Sequence, residues 1–482
     1  MVILYAMQYY WKWGKARMDN WISCQLDWQP ERELRDKPLY RAIASRIEED
    51  IRAGKLREGD RLPAQRELAD YWGVNLSTVT KALQWCENRG YLDATVGRGT
   101  FVTHWEPDER KASPESAAGI DLGVIHPLYQ QNRLLAEAIR EVAEEIGIEQ
   151  YLEYDEPKRK RSHRQIGAEW LRRMRLPAEP EEVSIASGTQ NALAVTLMAL
   201  FKAGDAIGVD ALTYSGFSTL ASMLGIGLVP MEADERGMNP ERLEAACVKE
   251  HLKGLYLMPE CQNPTALTLP ENRRRELAEI ARRYGLILIE DDHYSFLENT
   301  ACPPVSALLP ERSVYIAGTS KSLSPGLRVA FMKTAPDLRG AVEQGLYNIN
   351  LTTSHFNMEV VARLVESGLA DKMMTQKRRE AERRSQLAEE VGQGLVWQGN
   401  LRDYFRWLLL PPGWTGHELE LRAAAMGIRL YGAERFFIGK GELPAAARIS
   451  LSAASSLQEL ENGLSQLRRL LSQPPGVLWP LV

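Results

Sequence analysis

Lys321 sits among small residues in GTSKSLSPGLR, and Arg328 follows seven positions later. A lysine amine adds to an aldehyde to form a Schiff base, and a nearby cation suits a phosphate. Taken alone, a lysine just after a strand is more often a surface residue. Thirty residues earlier, LILIEDDHY ends an apolar run on Asp291 and Asp292, with Tyr294 close behind. Without Lys321 downstream, that pair would read as an ordinary acidic turn. SGTQNAL places Gly188, Thr189 and Gln190 where a strand gives way to a helix. The free N–H groups and positive dipole end of such a helix attract an anion. Many strand-to-helix turns are glycine-rich, so this motif is weak by itself. ARISLSAA carries Arg448, whose guanidinium fork would fit a carboxylate with two hydrogen bonds.

The elements that must hold these residues follow from periodicity. From Gly119 onward, VSIASGT, AIGVDAL, GIGLVPMEA, KGLYLMPE, GLILIEDD and SVYIAGTS alternate with amphipathic runs. That pattern predicts a mostly parallel sheet covered on both faces. No GxGxxG or Walker loop follows any of these strands. From about Leu401, FRWLLLPPG, IRLYGAERFFIG and RISLSAA flank helical stretches and suit a smaller α+β lobe. Upstream, Leu39, Ile43, Ile47 and Ile51 recur at four-residue steps and predict a helix closed by Gly54. A helix–turn–helix through Gly73 and a glycine-tipped hairpin, YLDATVGRGTFV, complete a small unit. The expected division is an extension over 1–30 that need not be ordered, a small unit over 31–103 and a polar linker over 104–118. A large domain over 119–400 and a small domain over 401–482 follow.

With 482 residues and 44% hydrophobic composition, the chain can fill more than one core. The net charge of −5 fits a soluble globular protein and does not by itself announce a nucleic-acid partner. The opening MVILYAM is too short for a signal core or a membrane span, so no membrane association is expected. Cysteines at 24, 86, 247, 261 and 302 show no paired spacing and no histidine at metal-ligand distance. Neither a disulfide framework nor a metal site is indicated, and a reducing cytoplasm fits.

The small unit resembles the GntR-type winged helix through GDRLPAQRELADYWGVNLSTVTKALQWCENRGYL and the wing GRGTFV. Val79, Ala82 and Leu83 must face inward, which turns Ser77, Thr78, Thr80 and Lys81 outward as short donors and a cation for the major groove and phosphates. The resemblance implies that Arg66 and Arg98 also contact DNA. Leu76 stands where the family frequently has arginine. Residues 31–103 carry thirteen lysines and arginines against twelve acids, so phosphate affinity depends on placement rather than excess.

The rest of the chain resembles fold-type I aminotransferases, with several motifs in the family's order. The resemblance implies that Lys321 forms the Schiff base with pyridoxal 5′-phosphate and that Ser320 and Arg328 help bind the cofactor. Gly188, Thr189 and Gln190 would cup the phosphate. Asp291 would pair with the pyridine nitrogen, Tyr294 and Asn263 of MPECQNPTA would reach the phenolic oxygen, and Tyr214 of VDALTYSG would stack on the ring. Arg448 would clamp a ligand carboxylate. Departures are Gly318 for a frequent serine, Ala266 for a glycine, and a missing glycine near Arg159. Tyr154 stands where a tyrosine crosses to the partner's phosphate. The basic run Lys158–Arg164 is a solvated loop or an auxiliary DNA-facing patch.

A winged helix-turn-helix (α+β) joined to an α/β transferase of fold type I with a smaller α+β lobe resembles the MocR/GabR regulators. The resemblance implies a cytoplasmic homodimer that binds an operator in double-stranded DNA and senses pyridoxal phosphate or an amine or amino-acid effector. It leaves open whether the DNA heads are exchanged between subunits. A working aminotransferase with an accessory winged helix is the alternative.

Overall fold

Four-residue apolar spacing produces the first helix of the N-terminal unit, α1 (Leu39–Arg52). Ile43, Ile47 and Ile51 are buried on it, whereas Leu39 stays exposed. Next come α2 (Gln65–Trp72), α3 (Leu76–Asn88) and a hairpin of β1 (Leu92–Thr95) and β2 (Gly99–Val102) paired antiparallel. Gly73 ends α2 in the left-handed conformation, turning the chain into α3. Leu68, Trp72, Val79, Ala82 and Leu83 close the core with α1. The computed structural model describes residues 28, 30, 38–57, 59–88, 91–95, 99–102, 119–154, 157–298, 300–439 and 442–473. Arg98 and the linker 104–118 lie outside them.

Trp28, which sequence assigns to the extension, is buried in this core. Its indole donates to Asp50 Oδ2 at 2.9 Å and meets the Trp72 ring edge-on at 6.4 Å. Tyr71 OH donates to Pro30 O at 2.7 Å. The winged unit therefore recruits residues ahead of the apolar period that defines its first helix.

The chain divides into two compact units between Glu115 and Ser116. The second is built on seven strands in the order β4-β10-β9-β8-β7-β5-β6. These are β4 (Val183–Ala186), β5 (Ala206–Asp210), β6 (Gly227–Met231), β7 (Gly254–Leu257), β8 (Ile287–Asp292), β9 (Ser313–Gly318) and β10 (Ala330–Thr334). β8 and β9 are buried along their whole length, which explains the apolar run that β8 begins with and β9 carries, and leaves Glu290, Asp291 and Asp292 buried at the end of β8. Only β10 runs against its neighbours, pairing antiparallel with both β9 and β4. Its AFMKT sequence is too short and uniform to separate from adjacent loops by pattern. With β10 alone reversed, the C-terminal ends of β4, β5, β7, β8 and β9 share one edge, the usual place for a ligand in an α/β sheet.

A smaller sheet follows in the order β11-β12-β15-β14, from β11 (Val396–Gln398), β12 (Phe405–Leu409), β14 (Tyr431–Gly432) and β15 (Ala446–Ser450). β3 (Ile120–Asp121) pairs parallel with β13 (Ile428–Arg429), and Leu122 packs in the smaller lobe's core. The first strand after the linker thus belongs with the smaller lobe, not with the 119–400 domain to which sequence assigned it. Ala388, on a long helix α4 (Leu369–Val391), joins the same core. Among the described residues, no helix is long and apolar enough to cross a membrane, and no cluster could hold a metal ion.

Candidate functional site

β4 ends at Ala186, and Gly188 caps the helix Thr189–Leu200 with φ 87°. A Cβ on Gly188 would lie 2.7 Å from Arg328 Nη2, so only glycine lets that guanidinium rest against the helix start. The exposed Arg328 and the first N–H groups of the helix together form a cationic cup for an anion. Thr189 Oγ1 is buried there without a hydrogen-bond partner among the described residues. Gln190 Oε1 accepts from Tyr214 OH at 3.2 Å, which ties the cup to the loop after β5. Burial, then the charge of Asp291, raises the pKa of the Tyr214 hydroxyl.

Across the edge, Asp291 is buried on β8, and its Oδ2 accepts from Tyr256 OH at 2.9 Å. Its Oδ1 faces His293 Nε2 at 3.3 Å and has no hydrogen-bond partner among the described residues. Burial pushes this carboxyl up, and the His293 ring is the leading influence opposing that rise. Tyr294 is buried against Tyr404 and Phe405, with ring centroids 6.1 and 5.8 Å away. Burial raises its hydroxyl well above the ordinary range.

Lys321 follows β9, with Ser320 half-buried just before it. Its Nζ donates to Ile125 O at 2.6 Å. Burial, reinforced by the Arg448 charge, pulls the amine down to about 8. Lys377 of α4 donates to the carbonyls of Lys321 and Leu323 at 3.1 and 2.8 Å and so braces this turn. Arg448, buried on β15 among Phe405, Tyr431 and Phe436, donates to Asn263 Oδ1 at 2.6 Å and to Gly123 O at 2.8 Å. Its Nε is buried and has no hydrogen-bond partner among the described residues. The fold thus gathers Gly188, Thr189, Gln190, Tyr214, Asn263, Asp291, Tyr294, Ser320, Lys321, Arg328 and Arg448 from separate strand ends and loops.

Two departures from the family pattern gain a physical reason here. A Cβ on Gly318 would fall 2.5 Å from Thr189 Oγ1 and 2.9 Å from His293 Nδ1, so a serine has no room. Ala266 adopts φ 57°, the left-handed region where glycine is ordinarily found. Tyr256, His293, Lys377 and the carbonyls of Gly123 and Ile125 were not singled out from the sequence. His293 stands between two residues that were, whereas backbone carbonyls leave no trace in residue identity.

In the N-terminal unit, Arg66, Ser77 and Lys81 are exposed and Thr78 is half-buried. Lys81 Nζ lies 4.4 Å from the Tyr40 ring centroid. The Thr80 hydroxyl is engaged internally, with Gln65 Oε1 at 2.8 Å and Leu76 O at 3.0 Å. Leu76 is exposed at the start of α3.

Residues 39–102 match the family of bacterial regulatory proteins called gntR, and residues 117–467 match aminotransferase class I and II. The uncharacterized HTH-type transcriptional regulator YdeF of Bacillus subtilis is 37% identical over 456 residues, covering 94% of this chain and 99% of the relative. Aromatic-amino-acid aminotransferase 1 of Thermococcus litoralis is 29% identical, over 63% of this chain and 76% of its own length. Among solved structures, the α-aminoadipate aminotransferase LysN of Thermus thermophilus aligns with a TM-score of 0.66 at 26% identity, covering 73% of this chain and 92% of its own. A kynurenine aminotransferase of Pyrococcus horikoshii aligns at 0.67 and 24% identity, over 76% of this chain and 95% of its own, which shows the fold. The chain belongs to the MocR/GabR-type regulators, in which a gntR-family winged helix is joined to an aminotransferase class I and II domain.

Proposed function

We propose that this protein is a DNA-binding transcription regulator that takes up pyridoxal 5′-phosphate and reads a carboxylate-bearing amine. One observation carries the reading. The two cations a ligand would need, Arg448 and Lys321, both donate to carbonyls of one short segment, Gly123 and Ile125. That segment directly follows β3, the first strand after the linker. A carboxylate that engages Arg448 competes with Gly123 O for the guanidinium. A carbonyl compound that engages the Lys321 amine leaves Ile125 O without its donor. Either event loosens the segment that leads back to the DNA-binding unit, which gives ligand and operator a shared conformational element.

The donor set fits the cofactor: a cationic cup, a buried carboxylate, an amine, and unpartnered polar atoms at Thr189 and Asp291. When bound, pyridoxal phosphate supplies an aldehyde and an electron-withdrawing ring. Arg328, Gly188, Thr189 and Gln190 would hold its phosphate, and Ser320 would join them. Asp291 would hold the ring nitrogen, Asn263 and Tyr294 the phenolic oxygen, and Tyr214 the ring face. Lys321, with its lowered proton affinity, keeps a fraction of free amine near neutrality.

Arg66, Ser77, Thr78, Lys81 and Arg98 would meet an operator, Thr80 acting by fixing α3 against α2. The protein would act as a cytoplasmic homodimer. Fluorescence anisotropy on the protein's own upstream region, with and without pyridoxal phosphate and amines such as γ-aminobutyrate, tests the reading. Operator affinity should respond to ligand in the parent and not in Lys321→Ala, while Lys81→Ala and Arg66→Ala lose DNA and keep the cofactor's absorbance. Protein that stays colourless with pyridoxal phosphate would sink the sensor. The complete set of Lys321, Asp291, Tyr294, Asn263 and Arg448 also favours a second reading, transamination, which steady-state turnover with amino donors and keto acids would reveal.

A further inference from the structure

Asp291 carries its neighbours unequally. Oδ2 takes a hydrogen bond from Tyr256, while Oδ1 faces the His293 ring and has no hydrogen-bond partner among the described residues. His293 lies between Asp291 and Tyr294 in sequence, and its ring turns back to place Nε2 3.3 Å from Oδ1. The position depends on a second feature, the absence of a side chain at Gly318. A Cβ there would sit 2.9 Å from His293 Nδ1 and 3.0 Å from Cε1, so any larger residue would displace the ring from this position. Thr189 Oγ1, from the anion cup, borders the same point at 2.5 Å.

We infer that His293 is a positioning residue, which orients and charge-stabilises the Asp291 carboxylate through Nε2 so that Oδ1 is presented to a protonated ring nitrogen, and that Gly318 is the condition for it. The inference rests on the cofactor reading above and adds a residue to it. A carboxylate buried this deeply is driven toward its neutral form, and a neutral acid pairs poorly with a pyridinium. The His293 ring is the leading influence holding the Asp291 proton affinity down. Tyr256 donates to the other oxygen and cannot set the direction of Oδ1.

The test compares the affinity of the full chain for pyridoxal 5′-phosphate with that for its 1-deaza analogue, in which CH replaces the ring nitrogen. Loss of one charge-assisted hydrogen bond corresponds to about tenfold in affinity. His293→Phe should lose about that much for pyridoxal phosphate while binding the analogue as the parent does. His293→Gln, whose amide nitrogen can still donate to Oδ1, should recover most of the loss. Equal losses for both ligands would mean that the ring only fills space, and unchanged affinity for both would mean that it does nothing for Asp291; either overturns the inference and leaves the cofactor reading intact. A parent that binds neither ligand overturns both.

Discussion

Replacing Arg448 with methionine should make Lys321 a poorer nucleophile at neutral pH, although the two side chains come from different lobes. Burial, then the Arg448 charge, pulls the Lys321 amine from 10.5 down to about 8. At pH 7 an amine titrating near 8 is about one-tenth unprotonated, against about one in three thousand for an ordinary lysine, a gain of about 300-fold in reactive form. Removing the guanidinium stabilises the ammonium, so the titration must move upward; burial remains, so it stays below 10.5. The assay is the growth of visible absorbance after pyridoxal phosphate is added to cofactor-free protein, followed as a rate from acidic to alkaline pH. The parent's rate should climb with pH through a midpoint near 8 and level off above it. The Arg448→Met profile should be displaced to higher pH, and Arg448→Lys, which keeps the charge, should lie close to the parent. A parent midpoint at the ordinary lysine value, or an Arg448→Met profile that is unmoved or shifted downward, would refute the electrostatic reasoning.

Three further outcomes follow from the same contacts. Gly188→Ala puts a methyl group against Arg328 and strains φ 87°; it should weaken pyridoxal phosphate by about tenfold or more while sparing pyridoxal, which lacks the phosphate, as calorimetry with the two would show. Burial pulls Lys377 from 10.5 down to about 7, so between those values the unfolded chain holds a proton that the folded chain has lost, and stability rises with pH across that window. Lys377→Met should flatten this rise in melting temperature, and an unchanged slope would contradict it. Trp28→Ala removes a buried indole from the winged unit and should cost about 3–5 kcal/mol there, visible as earlier loss of operator binding on heating.

Much of the site was legible because its chemistry needs particular side chains at fixed places along the chain. Lys321 with Arg328, Asp291 with Tyr294, and Gly188 opening a helix after a strand each occupy one short segment, where local geometry alone determines their spacing. The alternation of strands and helices likewise announced a parallel sheet, and the inward set Val79, Ala82 and Leu83 fixed which face of α3 is free. Tyr256 and Lys377 were missed because their roles arise between distant segments. Neither Tyr256 nor Lys377 carries a local mark of its bond to Asp291 or to the Lys321 carbonyl.

By itself the sequence determined two units, the sheet type and a set of candidate site residues, since periodicity and local motifs encode these directly. Only the tertiary structure decided that β3 joins the smaller lobe, that Trp28 completes the winged core, and that Gly318 is the space into which His293 turns. It also decided that Gly123 and Ile125 occupy the two site cations. These features depend on backbone carbonyls, on the volume a missing Cβ leaves, and on strands paired across some three hundred residues, where register is set by packing rather than by neighbours in the chain.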